Sequence, residues 1–375
     1  MSSFSCISWR RGHRRRFPAP DGIARFGYPG VVRVLVTGAA GFIGSHLCQR
    51  LAARGDDVAG IDNFDAFYPR ATKERNLAEL HAALAPAAPT PASVAAFASR
   101  QSVGRPGRFV FVEGDIRRPD DLASVFVAAR PELVVHLAAL AGVRPSIADP
   151  ARYADVNITG TQRVLDACRA HGVARVAFAS SSSVYGMDSA VPFRESDACL
   201  HPVSPYAATK RAGELVTFTA HHLTGMGVTN LRFFTVYGPR QRPDLAIHKF
   251  TRLIASGQPI DLYGDGSTSR DYTWVDDIVD GCVASVDQLA ADAVGTYRIY
   301  NLGGSRTTTL LGLVEMISNA LGQRPEIRWL PEQPGDMKRT LADLSLSGRD
   351  LGYQPRVPIE EGIKRFVDWY RRALA

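Results

Sequence analysis

A tyrosine and a lysine four residues apart, Tyr206 and Lys210 in Ser204-Pro205-Tyr206-Ala207-Ala208-Thr209-Lys210, follow about twenty residues after the serine run Ser180-Ser181-Ser182-Ser183 at the end of an apolar stretch. On a helix, residues four apart share a face one turn from each other, so the Lys210 ammonium is expected close to the Tyr206 phenol. A free tyrosine titrates at about 10. A fixed cation a few ångströms away favours the phenolate and lowers that value, which makes the phenol a usable base near neutrality. A serine hydroxyl at the tip of the preceding strand can hydrogen-bond the same substrate oxygen. The combination predicts proton removal coupled to hydride transfer.

Such groups need a scaffold, and the sequence supplies one upstream. The β-branched run Val31 to Val36 leads into Thr37-Gly38-Ala39-Ala40-Gly41-Phe42-Ile43-Gly44 and then a helical segment from Ser45. Strand, glycine turn and helix in that order cradle a pyrophosphate: the glycines allow a tight turn, close approach of backbone amides and close helix packing, and the helix N-terminus favours the anion. Gly38, Gly41, Phe42, Ile43 and Gly44 are the expected cofactor contacts. Val58 to Asp62 reads as the second strand, with the Asp62 carboxylate 18 residues beyond Gly44. An acid there binds a ribose 2′-hydroxyl and repels a 2′-phosphate, which predicts NAD rather than NADP.

Further strands are expected at 109 to 113, 133 to 137, 175 to 180 and 228 to 234, with helices near 119 to 129, 150 to 171 and 204 to 223. This alternation predicts an α/β fold, a Rossmann-type doubly wound parallel sheet. Asp115 and Ile116, just after a strand, are placed against the adenine; Leu137, Ala138 and Ala139 would pass under the cofactor, where small side chains leave room for it. The expected domains are a basic tail (1–30), an NAD-binding domain (31–235, with 271–304 partly returning to it) and a smaller α/β substrate lobe (236–270 and 305–375). Residues 82 to 107, rich in Ala, Pro and Ser, read as a loop insertion.

Composition narrows the alternatives. The chain has 375 residues, 45% hydrophobic, and a net charge of +7. Residues 1 to 30 carry Arg10, Arg11, Arg14, Arg15, Arg16 and Arg25 against Asp21, so +5 of that charge sits in the tail and the body is nearly balanced. The excess therefore gives no reason to expect nucleic acid as a partner of the body. No apolar run approaches the length of about 18 residues needed for a membrane span. The five cysteines are scattered without metal-ligand spacing, and a reduced, cytoplasmic protein with no metal is expected.

Taken together, the glycine triplet, Asp62, Asp115-Ile116, His136-Leu137-Ala138-Ala139, Asn157, the serine run and Tyr206/Lys210 resemble the extended short-chain dehydrogenases/reductases that act on nucleotide sugars. The resemblance spans about residues 31 to 372. Within that superfamily, Gly60-Ile61-Asp62-Asn63-Phe64 with Tyr68, Ala141-Gly142-Val143-Arg144, Leu231 to Pro239, Arg242-Pro243-Asp244 and Pro334-Gly335-Asp336-Met337 are similar to UDP-glucuronate 4-epimerases. The chain departs from that group at Arg240-Gln241, where Trp-Gly is usual, and at Leu140, Pro145 and Leu341.

The resemblance implies an isomerase in which Ser181, Tyr206 and Lys210 are catalytic, with Lys210 also on the nicotinamide ribose and Asn157 in the cofactor set, supporting the adjoining helix. It implies Thr235, Arg242, Ser182 and Ser183 around a sugar carboxylate, Arg144 near the sugar or diphosphate, Arg270 at the diphosphate and Asp336 at the uridine ribose. Sugar 4,6-dehydratases carry Asp-Glu immediately after the catalytic hydroxyl, and decarboxylases a Glu two positions on; here those positions are Ser182 and Ser183. The resemblance also implies a homodimer through the helices near 150 to 171 and 204 to 223. A 4-epimerase for UDP-glucose or UDP-N-acetylglucosamine, and a non-catalytic nucleotide-binding Rossmann protein, remain the competing readings.

Overall fold

The first strand, β1 (Arg33–Thr37), owes its position to a run in which Val34, Leu35 and Val36 are at most 1% exposed. Apolar residues on both faces are what a central strand of a parallel sheet requires. The structure, a computed structural model, describes residues 31–84, 108–187, 189–292, 295–331 and 337–374. The basic tail and residues 85–107 of the expected insertion lie outside the described residues. After β1 come α1 (Phe42–Ala53), β2 (Asp57–Asp62), α2 (Arg70–Leu84), β3 (Phe109–Glu113), α3 (Pro119–Ala129) and β4 (Leu133–His136). Helix α2 runs to Leu84, so residues 82 to 84, read from sequence as the start of a loop, are helical and bury Leu84.

The second half continues through α4 (Val143–Ala148), α5 (Pro150–Ala154), a π-helical turn at Asp155–Thr159, α6 (Gly160–Ala170), β5 (Arg175–Ser181), α7 (Pro205–Thr224) and β6 (Gly227–Phe233). The helix expected near 150 to 171 is therefore continuous from Pro150 to Ala170, with one widened turn inside it. Widened π turns inside α-helices often mark functional positions. Here the turn carries Asn157, and Thr161 Oγ1 donates to the Asn157 carbonyl at 2.6 Å.

Beyond β6 the chain builds β7 (Thr235–Tyr237), α8 (Ala246–Ala255), β8 (Ile260–Tyr263), β9 (Ser269–Trp274), α9 (Val275–Ala291), β10 (Tyr297–Leu302), β11 (Thr307–Thr309), α10 (Leu310–Leu321), β12 (Ile327–Leu330), α11 (Ser345–Leu351) and α12 (Ile359–Leu374). Seven parallel strands form one sheet in the order β10-β6-β5-β4-β1-β2-β3, with β11-β9-β7 and β12-β8 as two small sheets. Helix α9 packs under β5 and β6 and against α1, with Ile278, Val279, Cys282, Val286 and Leu289 buried. The acids Asp276 and Asp277 look like helix-capping residues in sequence. Asp277 instead accepts the amides of Arg356 and Val357 at 3.1 and 3.2 Å, fastening the C-terminal segment to α9.

Strand order reverses between β1 and β4, and ligands of doubly wound sheets bind where it does, outside the carboxyl ends of the strands. None of the described helices is long and apolar enough to cross a membrane.

Candidate active site

The carboxyl ends of β1, β2, β4 and β5 open into a cleft of about 450 Å³. Its floor is the glycine turn. Gly38 has φ +73°, and a Cβ built there would lie 2.9 Å from the Ala138 amide nitrogen; one built on Gly44 would lie 2.1 Å from the Gly38 carbonyl oxygen. Side chains are therefore excluded at these two positions by backbone on the other side. Gly41 occupies the N-cap of α1 without any side-chain cap, which leaves the first amides of the helix for an anion. These features fit the diphosphate of NAD.

Around this floor stand Phe42, Ile43, Asp62, Asp115, Ile116, Leu137, Ala138 and Ala139, all lining the cleft. Asp62 accepts from the Phe64 amide at 2.9 Å and from Lys73 Nζ at 3.1 Å, both on Oδ1. Burial pushes the Asp115 carboxyl up, but hydrogen bonds from Arg117 and Asn63 outweigh it and hold the group at about 2. His136 is locked beneath the floor between Thr37 Oγ1 (2.7 Å) and Thr161 Oγ1 (3.0 Å), and burial, with Lys210 adding to it, lowers its pKa to about 3. Thr37 Oγ1 also takes the Ala138 amide at 3.1 Å, fixing the small-residue segment over β1.

The reactive pair stands at the far wall. Ser181, last residue of β5, caps the single 3₁₀ turn Ser182–Tyr185 by accepting the Ser183 amide at 3.2 Å. Tyr206 enters on the first turn of α7, which is set by Pro205 at its start and by Ser204 Oγ accepting the Ala207 amide at 3.1 Å. The Ser181 hydroxyl donates to Ser183 Oγ at 3.2 Å and lies near enough to the Tyr206 phenol to favour its ionisation. Lys210 lies one turn on, but its Nζ donates to the Ala179 carbonyl of β5 at 2.7 Å. Burial lowers the Lys210 pKa to about 7, against the opposing charge of Glu214. Burial raises the Tyr206 phenol above its ordinary value, and the groups opposing that rise are Ser181 and, by its charge, Arg242. The bond to Ala179 anchors Lys210 to the strand.

Ser182, Ser183, Thr235 and Arg242 share the cleft with this pair. The Arg242 side chain is 14% exposed; its Nε and Nη2 donate to the Asp244 carboxylate at 3.0 and 2.7 Å, and its guanidinium covers the Phe67 ring at 4.9 Å. Three expected contacts among the described residues do not join them. Asn157 is buried and its carboxamide is used up by the Leu140 backbone, accepting at 2.8 Å and donating at 2.9 Å, and by Thr209 Oγ1 at 3.0 Å. It shapes the segment that lines the cleft and tethers it to α7, rather than contributing to the wall. Arg144 stacks on the Tyr263 ring at 4.7 Å, and Arg270 Nη1 donates to the Ser269 carbonyl; neither lines the cleft. Asp336 lies outside the described residues.

Three participants were not legible as such from sequence. Lys73 reaches Asp62 from α2, Asp244 holds Arg242, and Phe67 carries the Arg242 guanidinium. The two-residue spacing of Arg242 and Asp244 was a usable signal; the others depend on how α2 and the β2–α2 loop fold over the cleft. Arg240, one of the sequence departures, sits at φ +62° and ties the lobe to the cofactor-side helices through Glu79 (3.0 Å) and Gln49 (2.8 Å).

Comparison with known proteins agrees with this geometry. Residues 34–303 match the NAD dependent epimerase/dehydratase family. The chain is 39% identical over 355 residues to UDP-glucuronate 4-epimerase 1 of Arabidopsis thaliana, an alignment that covers 91% of this chain and 77% of that protein. Among solved structures it is similar to a UDP-glucuronic acid 4-epimerase from Bacillus cereus in complex with UDP-glucuronic acid and NAD (TM-score 0.77, 33% identity, 90% of this chain and 99% of that one). It is also similar to a UDP-glucose 4-epimerase from Thermotoga maritima with UDP-glucose (TM-score 0.77, 30% identity, 91% and 99%). With its glycine cradle, acidic ribose position and serine–tyrosine pair at the switch point of the sheet, the chain belongs to the NAD dependent epimerase/dehydratase family.

Proposed function

We propose that the protein interconverts UDP-glucuronate and UDP-galacturonate by epimerisation at C4. The observation that carries the reading is the company Arg242 keeps: a largely covered guanidinium and the neutral hydroxyls of Ser182, Ser183 and Thr235 share one cleft with Ser181 and Tyr206. NAD, which the glycine turn and Asp62 would hold, would supply the hydride acceptor and donor for C4. Tyr206 takes the proton of the 4-hydroxyl and gives it back, Ser181 holds both the phenol and the sugar oxygen, and Lys210 braces α7 against β5.

Oxidation at C4 of a glucuronate creates a β-keto acid, which tends to lose carbon dioxide. Holding the carboxylate away from overlap with the ketone suppresses that loss, and a guanidinium suits the task because it presents a fork of donors to a carboxylate. Asp244 steers that fork by pairing with Nε and Nη2. Neutral UDP-hexoses are handled on the same fold, so the carboxylate clamp distinguishes the two readings. Arg242→Ala should remove a charge-assisted contact worth roughly 1.5–3 kcal/mol. In steady-state assays kcat/KM for UDP-glucuronate should fall by about one to two powers of ten, that for UDP-glucose should fall less, since only the effect on the phenol is shared, and a UDP-pentose by-product should appear. Wild-type handling of UDP-glucuronate without pentose would move the neutral-hexose reading ahead.

The working unit is a homodimer in a reducing, cytoplasmic setting, which suits the buried free thiols of Cys48, Cys168, Cys199 and Cys282. Helix α7 leaves Leu215 and Phe218 about half exposed, at 53% and 48%, one turn apart on its outer face. A second copy of α7 covers such a face by twofold symmetry. Light scattering at micromolar concentration should give twice the chain mass, and Phe218→Glu should reduce it to one; a monomeric wild type would contradict the assignment.

A further inference from the structure

The loop between β2 and α2 crosses the cleft instead of standing beside it. Asp65, Phe67 and Tyr68 all line the cavity, and Tyr68 Oη lies 3.8 Å from the position a Cβ would take on Gly41 in the glycine turn. On the opposite side stands α5, where Tyr153 donates to the Ala141 carbonyl at 3.0 Å and meets the Tyr206 ring edge-on at 6.3 Å. Between these two walls runs a direct ionic contact: one guanidinium nitrogen of Arg152 donates to both oxygens of Asp65, at 2.7 and 2.9 Å. The same carboxylate closes its own turn by accepting the Phe67 amide at 2.9 Å, and Asn63 pins the loop to Asp115 at 3.0 Å.

Sheet order gives this contact its meaning. β1 lies between β2 and β4, so a bridge from the segment after β2 to a helix after β4 must pass over the carboxyl end of β1. That end carries the glycine turn that would hold the diphosphate. The geometry points to the Asp65–Arg152 pair as a clasp that closes over the cofactor and retains it between the two half-reactions. Retention has a chemical purpose in this family: the hydride removed from the sugar is the one that must be returned, and cofactor lost midway leaves a ketosugar with no reductant. The pair is not part of the diphosphate cradle or of the reacting groups; it acts as a positioning contact whose effect is on cofactor departure. Nor does it depend on which sugar is bound, because it concerns the NAD site alone.

The test is exchange of bound NAD in the purified holoenzyme, chased with an excess of isotopically labelled NAD and no sugar present. Asp65→Asn keeps an oxygen for the Phe67 amide while removing the charge, and Arg152→Gln keeps most of the side-chain length. The Asp65 and Arg152 side chains are 17% and 42% exposed, so the pair sits between a buried and a solvent-screened contact. Each variant should release NAD about three- to fivefold faster than wild type, the upper part of the range for such pairs. The double variant should be no faster than either single one, because both remove one interaction. Added salt should speed release from wild type and leave the variants nearly unchanged. Melting curves of the labelled samples report separately on folding. Exchange in both single variants at the wild-type rate overturns the clasp, as does a double variant whose acceleration is the product of the two. Since no sugar enters the assay, neither result bears on the carboxylate assignment of Arg242.

Discussion

Tyr206→Phe should yield a folded protein that retains NAD but turns over UDP-glucuronate at least ~10²-fold more slowly, the low end for loss of a positioned general base. The phenol is the group in the cleft that meets Ser181, and the substitution removes one oxygen from a site whose packing is otherwise unchanged. The pH dependence supplies an independent check with a definite sign. Burial raises the phenol, while the Ser181 hydrogen bond and the Arg242 charge oppose that rise. Removing either opposing group should raise the phenol further, so the acidic limb of kcat/KM in Ser181→Ala or Arg242→Ala should move to higher pH. Lys210→Met should move it less, since Lys210 spends its contact on the Ala179 carbonyl. Near-normal turnover in Tyr206→Phe would remove the tyrosine from the chemistry altogether.

The largest expected effect on stability comes from Glu214→Gln. Glu214 is fully buried on α7, and its carboxylate receives Arg232 Nε at 2.8 Å and Nη2 at 3.0 Å from β6, Arg211 Nη1 at 2.8 Å and the Ser180 hydroxyl at 2.6 Å from β5. Arg232 is itself only 1% exposed. Removing one member of a buried pair leaves the other charge without compensation, which costs about 3–5 kcal/mol. Denaturant unfolding of the variant should show a loss of that size; a loss below about 1 kcal/mol would mean that Arg232 finds water or another partner. Burial pushes the Glu214 carboxyl up, but its hydrogen bonds, Arg232 foremost, outweigh this and hold it below its ordinary value of 4.5. Its contribution is therefore complete above that pH in the wild type and is lost as pH falls through the depressed folded value. The network also has a functional side: by fixing Ser180 and α7 together it sets the distance between Ser181 and Tyr206.

Much of the site could be read in the chain because its parts are local. The turn from Gly38 to Gly44 is a continuous segment whose glycines answer to contacts made within it and with Ala138, and α7 begins at Ser204-Pro205 by a capping rule that needs only neighbouring residues. Apolar runs located β1 to β6 to within two residues, since a central parallel strand has to be apolar on both faces, whereas β10 at the edge of the same sheet was not read. The widened turn at Asp155–Thr159 was not visible, and neither was the contact it presents, since the Asn157 side chain meets the Leu140 backbone seventeen residues away.

Sequence by itself determined the reaction machinery: a glycine cradle, an acid at the end of β2, and Ser181, Tyr206 and Lys210 in an order that allows them to meet. Tertiary structure decided how these groups are tuned and enclosed. It moved Lys210 onto a carbonyl of β5, brought Arg242 toward the phenol from the segment after β7, turned Asn157 inward to brace the Leu140 backbone, and drew Asp65 across the cleft to Arg152. The physical reason is range. Turn conformation and helix capping are set by residues a few positions apart, whereas charge, burial and closure depend on side chains that only the folded sheet order makes neighbours.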